Sequence, residues 1–253
     1  MNTAPAGFAL LVALGATGAS AASVTISEDN STLYSVPALA AFATTGEDMD
    51  GMTVTASFAD GTEATALFYE IGRSDGGNRF EGGETFLSDG WNLFLFGDSY
   101  FEEWGLANRS DSLLTGLVMD GTTGVGTLFD RTLPDTGTIG SAEGRDFEDQ
   151  SGSIPGTVVV TYSKPVALEG EAPVGDLFAQ LALDFTGLAD GGIAQGATYY
   201  FRQDTDNAKP GTSITPVDPS DPEPPVGVVP LPLPAFLLLG GLGTLAGARR
   251  RRS

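Results

Sequence analysis

The sequence predicts an all-β protein: an antiparallel β-sandwich, jelly-roll-like in type, flanked by an N-terminal signal peptide and a single short C-terminal transmembrane helix. Three observations carry that prediction. Short runs of alternating apolar and polar residues recur at fairly even spacing, each bounded by Gly, Asp or Pro. Glycine occurs 35 times, and no segment of the body carries a sustained apolar stripe of helical period with capping signals. Cysteine is absent, so an exported fold of this chain has no disulfides and must rest on sheet packing.

The elements follow in order. In Met52 to Phe58 (MTVTASF), Val54, Ala56 and Phe58 alternate with Thr53, Thr55 and Ser57, the period of a half-buried strand. Asp60-Gly61 comes next and Glu63 to Ile71 (EATALFYEI) alternates again, so 52–71 reads as a hairpin on an Asp-Gly turn. Further strands are expected at Trp91 to Phe96, Leu113 to Met119, Gly126 to Phe129, Thr157 to Tyr162, Leu177 to Phe185 and Thr198 to Arg202. Leu177 to Phe185 has the apolar content of a buried helix, but the alternation of Leu177, Ala179, Leu181, Leu183 and Phe185 favours a strand.

The two ends differ from this body. Phe8 to Gly15 is apolar and small residues follow, with Ala19 and Ala21 in the A-x-A pattern of a signal-peptidase site and Ala22 beginning the mature chain. No Lys or Arg stands in residues 1–22, so the α-amino group alone supplies the positive charge of that signal. After a body of 22–208, residues 209–228 read as an extended proline-rich linker. The C-terminal segment, 229–253, has three parts. Pro230, Pro232 and Pro234 forbid a regular helix through them, and a helix begins no earlier than Pro234. Ala235 to Ala248 would rise about 21 Å against a hydrocarbon core of about 30 Å. Arg249, Arg250, Arg251 and Arg252 then act as a stop-transfer cluster held on the cytoplasmic side. A helix this short, approached by extended backbone, suits a transient stop with a cleavable handle.

Charge excludes one class of partner. The 33 acidic and 12 basic residues give −21, and without the four terminal arginines 8 basic residues remain and the balance is −25. Such a surface repels nucleic acid and anionic lipid, and attracts divalent cations. Histidine is absent as well, which removes the commonest general base near neutral pH.

The tail of proline motif, glycine-interrupted apolar helix and arginine cluster resembles the VPLPA variant of the PEP-CTERM sorting signals. Its motif stands here as Val229, Pro230, Leu231, Pro232, Leu233, Pro234 and Ala235, with an extra Leu-Pro that leaves two registers for the cut. The body also resembles domains that carry such tails, in EDMDGMTVTASFADG from Glu47 and in the stretch from Trp91 that ends in Phe129-Asp130. The likeness continues in GTIGSAEGRDFE from Gly137, YSKPVALEGEAPVGDLFAQLALDF from Tyr162, and FRQDTDN from Phe201. The resemblance implies recognition by an exosortase-type transpeptidase of Gram-negative bacteria, removal of the tail, and transfer from the inner membrane to the cell surface or matrix. Its body motifs mark a family of unassigned molecular activity.

Candidate chemistry is sparse. Asp48 and Asp50, and Asp204 and Asp206, have the D-x-D spacing that can set alternate carboxylates around Ca²⁺; the competing reading is solvated turn residues. No other cofactor is implied. Asp98, Glu102 and Glu103 near Trp91 and Trp104 are the strongest carboxylate cluster for a glycosidase, but adjacent Glu102 and Glu103 make a poor pair on a strand. Trp91, Tyr100 and Trp104 could stack on sugar rings, but a strand this apolar favours Trp91 and Phe94 to Phe96 as core. The expectation is therefore a non-enzymatic surface or matrix protein whose partners are signal peptidase, the transpeptidase and the membrane. Its alternative is a carbohydrate-binding β-sandwich recognising exopolysaccharide.

Overall fold

A computed structural model describes residues 22–40, 44–75, 78–85, 90–132, 137–141, 143–152 and 154–218. The strands in chain order are β1 (Ser23–Asp29), β2 (Tyr34–Val36), β3 (Thr53–Phe58), β4 (Glu63–Asp75), β5 (Asn78–Thr85), β6 (Trp91–Phe96), β7 (Trp104–Asn108) and β8 (Leu114–Asp120). They continue as β9 (Thr127–Asp130), β10 (Glu148–Asp149), β11 (Thr157–Leu168), β12 (Leu177–Asp184), β13 (Thr198–Arg202), β14 (Asp204–Asn207) and β15 (Thr215–Pro216). A single 3-10 turn, Gly46–Met49, is the helical element among the described residues. No helix among them is long and apolar enough to cross a membrane. The signal peptide and the C-terminal helix expected from the sequence lie outside the described residues.

The hairpin β3–β4 forms as its alternation predicts, with every second residue of β3 buried. Its turn is closed by Asp60, whose Oδ1 accepts from Thr62 N at 3.0 Å and Thr62 Oγ1 at 2.6 Å, and Gly61 supplies the φ of +83°. β4 then passes from one half of the fold to the other: residues 63–67 pair with β3, and 68–75 pair with β5. From β3 to β7 the strands pair in sequence order as a meander, whereas a jelly roll interleaves two Greek keys. On the far side the order runs β3–β8–β12–β11.

The sheet is mixed, where the sequence pattern predicted a purely antiparallel one. β11 pairs parallel with both β1 and β2. Parallel pairs need a long crossover, and the whole meander between β1 and β11 serves as one. Alternation along a single strand cannot report the direction of its neighbour. β1 lies at an edge, and hydroxyl pairs such as Ser23 with Thr157 (2.8 Å) and Ser27 with Thr161 (2.9 Å) support the ladder.

The core fits a sandwich. Trp91, Leu93, Leu95, Trp104, Leu106, Tyr199 and Phe201 from β6, β7 and β13 meet Val54, Leu117, Met119, Val160, Leu181 and Leu183 from the other half. A second, smaller cluster joins Val36, Leu128, Val166, Leu177 and Ala179 to Ala208 and Ile214. The chain beyond 208 is therefore part of the fold for a few residues: Thr215 pairs with Ser35, and Val217 N donates to Leu33 O at 2.9 Å. The rest of the linker expected from the sequence, 219–228, lies outside the described residues.

Candidate functional site

The most unusual chemistry of the fold is a set of buried aspartates where β9 lies between β12 and β14. Asp130, at the end of β9, stands opposite Asp204 on one side and Leu177 on the other. Asp130 and Asp206 are each 1 % exposed, and Asp204 and Asp176 are buried beside them. Ser141 Oγ contacts Asp130 Oδ2 at 2.9 Å and also makes a short contact with Asp206 Oδ2. A hydroxyl has one proton to donate, so the second contact requires a proton on a carboxyl. Asp176 accepts from Thr138 Oγ1 at 2.6 Å and from Thr138 N, which fastens 137–141 to the same cluster. Ser99 Oγ donates to Asp204 Oδ1 at 3.1 Å, and Gln203 Nε2 reaches the carbonyls of Asp130 (3.0 Å), Arg145 (3.1 Å) and Asp204 (2.8 Å).

Burial and mutual repulsion push Asp130, Asp204 and Asp206 above the usual carboxylate range. Asp130 rises to about 8, first through loss of water and then through the charge of Asp206. Burial likewise lifts Asp204 to about 7 and Asp206 to about 6. Asp130 Oδ1 is buried with no hydrogen-bond partner among the described residues, which a neutral carboxyl tolerates better than a carboxylate does. Together the cluster is a proton-sharing set of acids walled from solvent. Carboxyls sharing a proton can serve acid–base catalysis only where a substrate reaches them, and these two are almost fully enclosed.

The two D-x-D motifs divide between different tasks. Asp48 Oδ2 accepts from Thr45 N at 2.9 Å and Thr45 Oγ1 at 2.8 Å, and so caps the 3-10 turn; Asp50 Oδ1 lies 3.4 Å from Glu70 N. Asn207 Nδ2 donates to Asp48 O at 2.7 Å, which ties the end of β14 to that turn beside a cleft of about 600 Å³. Among the described residues no three Asp, Glu, His or Cys side chains are grouped to hold a metal ion. Sequence spacing located Asp204 and Asp206 but missed Asp130, Ser141 and Asp176. A signal was present: Asp130 ends the FD strand, Ser141 lies in GTIGSAEGRDFE, Asp176 in EAPVGDLF, and Asp204 and Asp206 in FRQDTDN. Four segments far apart in sequence thus converge on one place in the fold.

The aromatic residues need a correction. Trp91 and Trp104 are wholly buried, and Trp104 Nε1 donates to Gln203 O at 3.0 Å, so neither can stack on a ligand. Phe94 and Phe96, read as core, instead project from the other face of β6 and are half-buried. Period two makes this unavoidable: with Trp91, Leu93 and Leu95 inward, Phe94 and Phe96 must point outward. Across that outer face Tyr69, Glu84, Phe94, Gly105 and Tyr200 stand opposite one another on β4, β5, β6, β7 and β13. Of the carboxylates weighed for a glycosidase, Glu103 pairs with Arg202 Nη2 at 3.2 Å, Asp98 caps the backbone of Tyr100 at 2.9 Å, and Glu102 is exposed.

The signal-peptidase residues Ala19 and Ala21, the sorting motif 229–235 and the arginines 249–252 lie outside the described residues; Ala22 packs on the main core. No known protein family, curated protein or solved structure matches the chain.

Proposed function

We infer that this chain is an exported, non-enzymatic protein of the cell surface or extracellular matrix, delivered by an exosortase-type sorting signal at its C-terminus. The observation that carries the reading is the sequence of the tail, VPLPLPAFLLLGGLGTLAGARRRRS: its apolar stretch after Pro234 is too short for a comfortable helical span, and its alternating prolines disfavour a helix before it. The N-terminal A-x-A site complements it. β1 opens at Ser23, so cleavage after Ala21 would remove none of the sheet. The non-enzymatic reading rests on the enclosure of the perturbed aspartates and on the absence of histidine and cysteine from the sequence. In transit the chain would pass the inner membrane with its arginines on the cytoplasmic side.

Intact mass of the protein purified from the surface of its own cells tests this. The expected species begins at Ala22 and ends within the VPLPLPA motif. A mature chain still ending in Arg252-Ser253 would overturn the sorting reading. A second reading, recognition of polysaccharide, is favoured by the aromatic outer face of the sheet.

A further inference from the structure

The sequence holds two Asn-X-Ser/Thr tripeptides, the acceptor pattern of N-linked glycosylation: Asn30-Ser31-Thr32 and Asn108-Arg109-Ser110. The fold treats them in opposite ways. Asn108 is wholly buried, and its Nδ2 donates to Ser112 O and to Ile193 O, each at 2.8 Å. Both hydrogens of that amide are therefore used. Its Oδ1 accepts from Ser110 N at 3.0 Å and from Ser110 Oγ at 2.8 Å, so the hydroxyl of the tripeptide is engaged as well.

Asn30 stands in the connection between β1 and β2, and Asn30, Ser31 and Thr32 are all exposed. The register drives this connection outward. Both strands pair parallel with β11, Asp29 beside Ser163 and Tyr34 beside Val166. Five residue steps, from Asp29 to Tyr34, thus lie along three on β11, and the surplus must bow away from the sheet edge. Asp29 Oδ1 accepts from Ser31 N at 3.0 Å and starts that turn. The Asn30 amide makes one long contact, from Nδ2 to Glu28 Oε2 at 3.4 Å, which leaves its second hydrogen unused among the described residues. Glu28 spends its other oxygen on Arg131. Thr32 Oγ1 makes no hydrogen bond among the described residues.

We propose that Asn30 is a site of N-glycosylation, taking an oligosaccharide from a polyprenyl diphosphate donor on the outer side of the inner membrane. The proposal rests on the export reading, because acceptor and donor must meet outside the cytoplasm. The bond formed joins Asn30 Nδ2 to C1 of the first sugar, and the bond broken joins that C1 to the diphosphate. The electron pair leaves with the polyprenyl diphosphate, and the amide proton passes to a base of the transferase. An amide nitrogen is a poor nucleophile because its lone pair is shared with the carbonyl. The reaction therefore needs an acceptor segment that a transferase can draw out of the fold. A loop bowed off an edge strand meets that need, and a buried amide that ties Ser112 to Ile193 does not. The product sets a hydrated glycan at the end of β1, where it obstructs addition of a foreign strand to that edge.

The test takes the protein purified from the surface of its own cells, digests it with chymotrypsin, and reads by mass spectrometry the peptides that hold Asn30 and Asn108. The expected result is an added mass of whole sugar residues on Asn30 and none on Asn108. Asn30→Gln, produced in the same cells, should lose that mass completely, and so should Thr32→Ala, which removes the hydroxyl of the acceptor pattern. Both side chains are exposed, so both variants should fold, and a cooperative melt verifies that. Three outcomes would overturn the proposal: an unmodified Asn30, a glycan on Asn108, or an added mass that survives Asn30→Gln and so sits on a hydroxyl. The termini of the same sample report the export reading separately. An unmodified Asn30 in a chain that begins at Ala22 and ends in the proline motif overturns the glycan alone. A glycosylated Asn30 in a chain that keeps Arg252-Ser253 overturns only the removal of the tail.

Discussion

Ser141 Oγ sits between two carboxyls, 2.9 Å from Oδ2 of Asp130 and in short contact with Oδ2 of Asp206. The contact closes a path from the end of β9 through the 137–141 segment to β14. It is stable only while a proton is shared, and that sets a pH dependence. Asp130 holds its proton up to about 8, against an ordinary value of 3.8. Between those limits the folded protein binds a proton that the unfolded chain has released, so stability falls as pH rises through the window. Asp204 and Asp206, lifted to about 7 and about 6, act with the same sign, and Asp176 adds to the repulsion. Asp120 acts oppositely and at lower pH: although burial alone would raise it, bonds from Lys164 and Thr122 hold it below its ordinary value.

The expected outcome is that urea midpoints rise when pH is lowered from 8 to 5. Asp130→Asn keeps an acceptor for Ser141 and removes the ionisation. Its midpoint should vary less with pH than that of the parent, and should exceed the parent's at pH 8. Equal slopes in the two proteins would show that another group titrates.

Trp104 gives a second test. It is fully buried, stacked on Phe201 at 6.0 Å with the planes 3° apart, and donates to Gln203 O. Trp104→Ala removes the ring and leaves that carbonyl without its partner, which should cost about 3–5 kcal/mol in chemical denaturation. Retention on polysaccharide per folded molecule should not change. A selective loss of binding without loss of stability would return Trp104 to the ligand site.

The contrast between Trp104 and Phe94 illustrates what the sequence makes legible. Hairpin β3–β4 is readable because its alternation, its Asp-Gly turn and its register are all local. WNLFLF announces a strand, but with apolar residues on both faces it does not disclose which set points inward. β14 is invisible to a search for apolar periodicity because Asp204, Thr205, Asp206 and Asn207 are all polar and all buried. Side-chain bonds from Ser99 and Ser141, both far away in sequence, and from the adjacent Gln203 hold it. β5, with two glycines and no run of apolar residues, is hidden for a similar reason. The D-x-D spacing at Asp204 therefore located half of the acidic cluster and could not supply Asp130.

Lys164 interrupts β11 with φ of +58°, the one positive φ outside glycine among the described residues. Pairing passes from Ser163 with Gln180 to Pro165 with Phe178 without a change of register, so Lys164 takes the left-handed conformation within the strand, and its Nζ reaches Asp120 Oδ2 at 2.6 Å. Strain and ion pair oppose each other at this residue. Lys164→Ala keeps the strain and loses the partly buried pair, with an expected loss of about 1–3 kcal/mol. Lys164→Gly loses the pair but relieves the backbone, and should be the more stable of the two variants by about 1 kcal/mol. The reverse order in thermal melts would mean that the positive φ at this position carries no strain.

Where the fold ends can be tested by shortening the chain. The composition alone places the spacer from 209, yet Ile214 is 6 % exposed in the second core and Thr215 and Pro216 pair with β2. A chain ending at Ala208 should lose about 1.5–3 kcal/mol from the Ile214 side chain alone, and more from the unpaired edge of β2. A chain ending at Asp218 keeps both contacts and should melt with the same midpoint as the full-length protein. Equal stability of the two shortened chains would show that residues 209–217 contribute nothing to the sandwich.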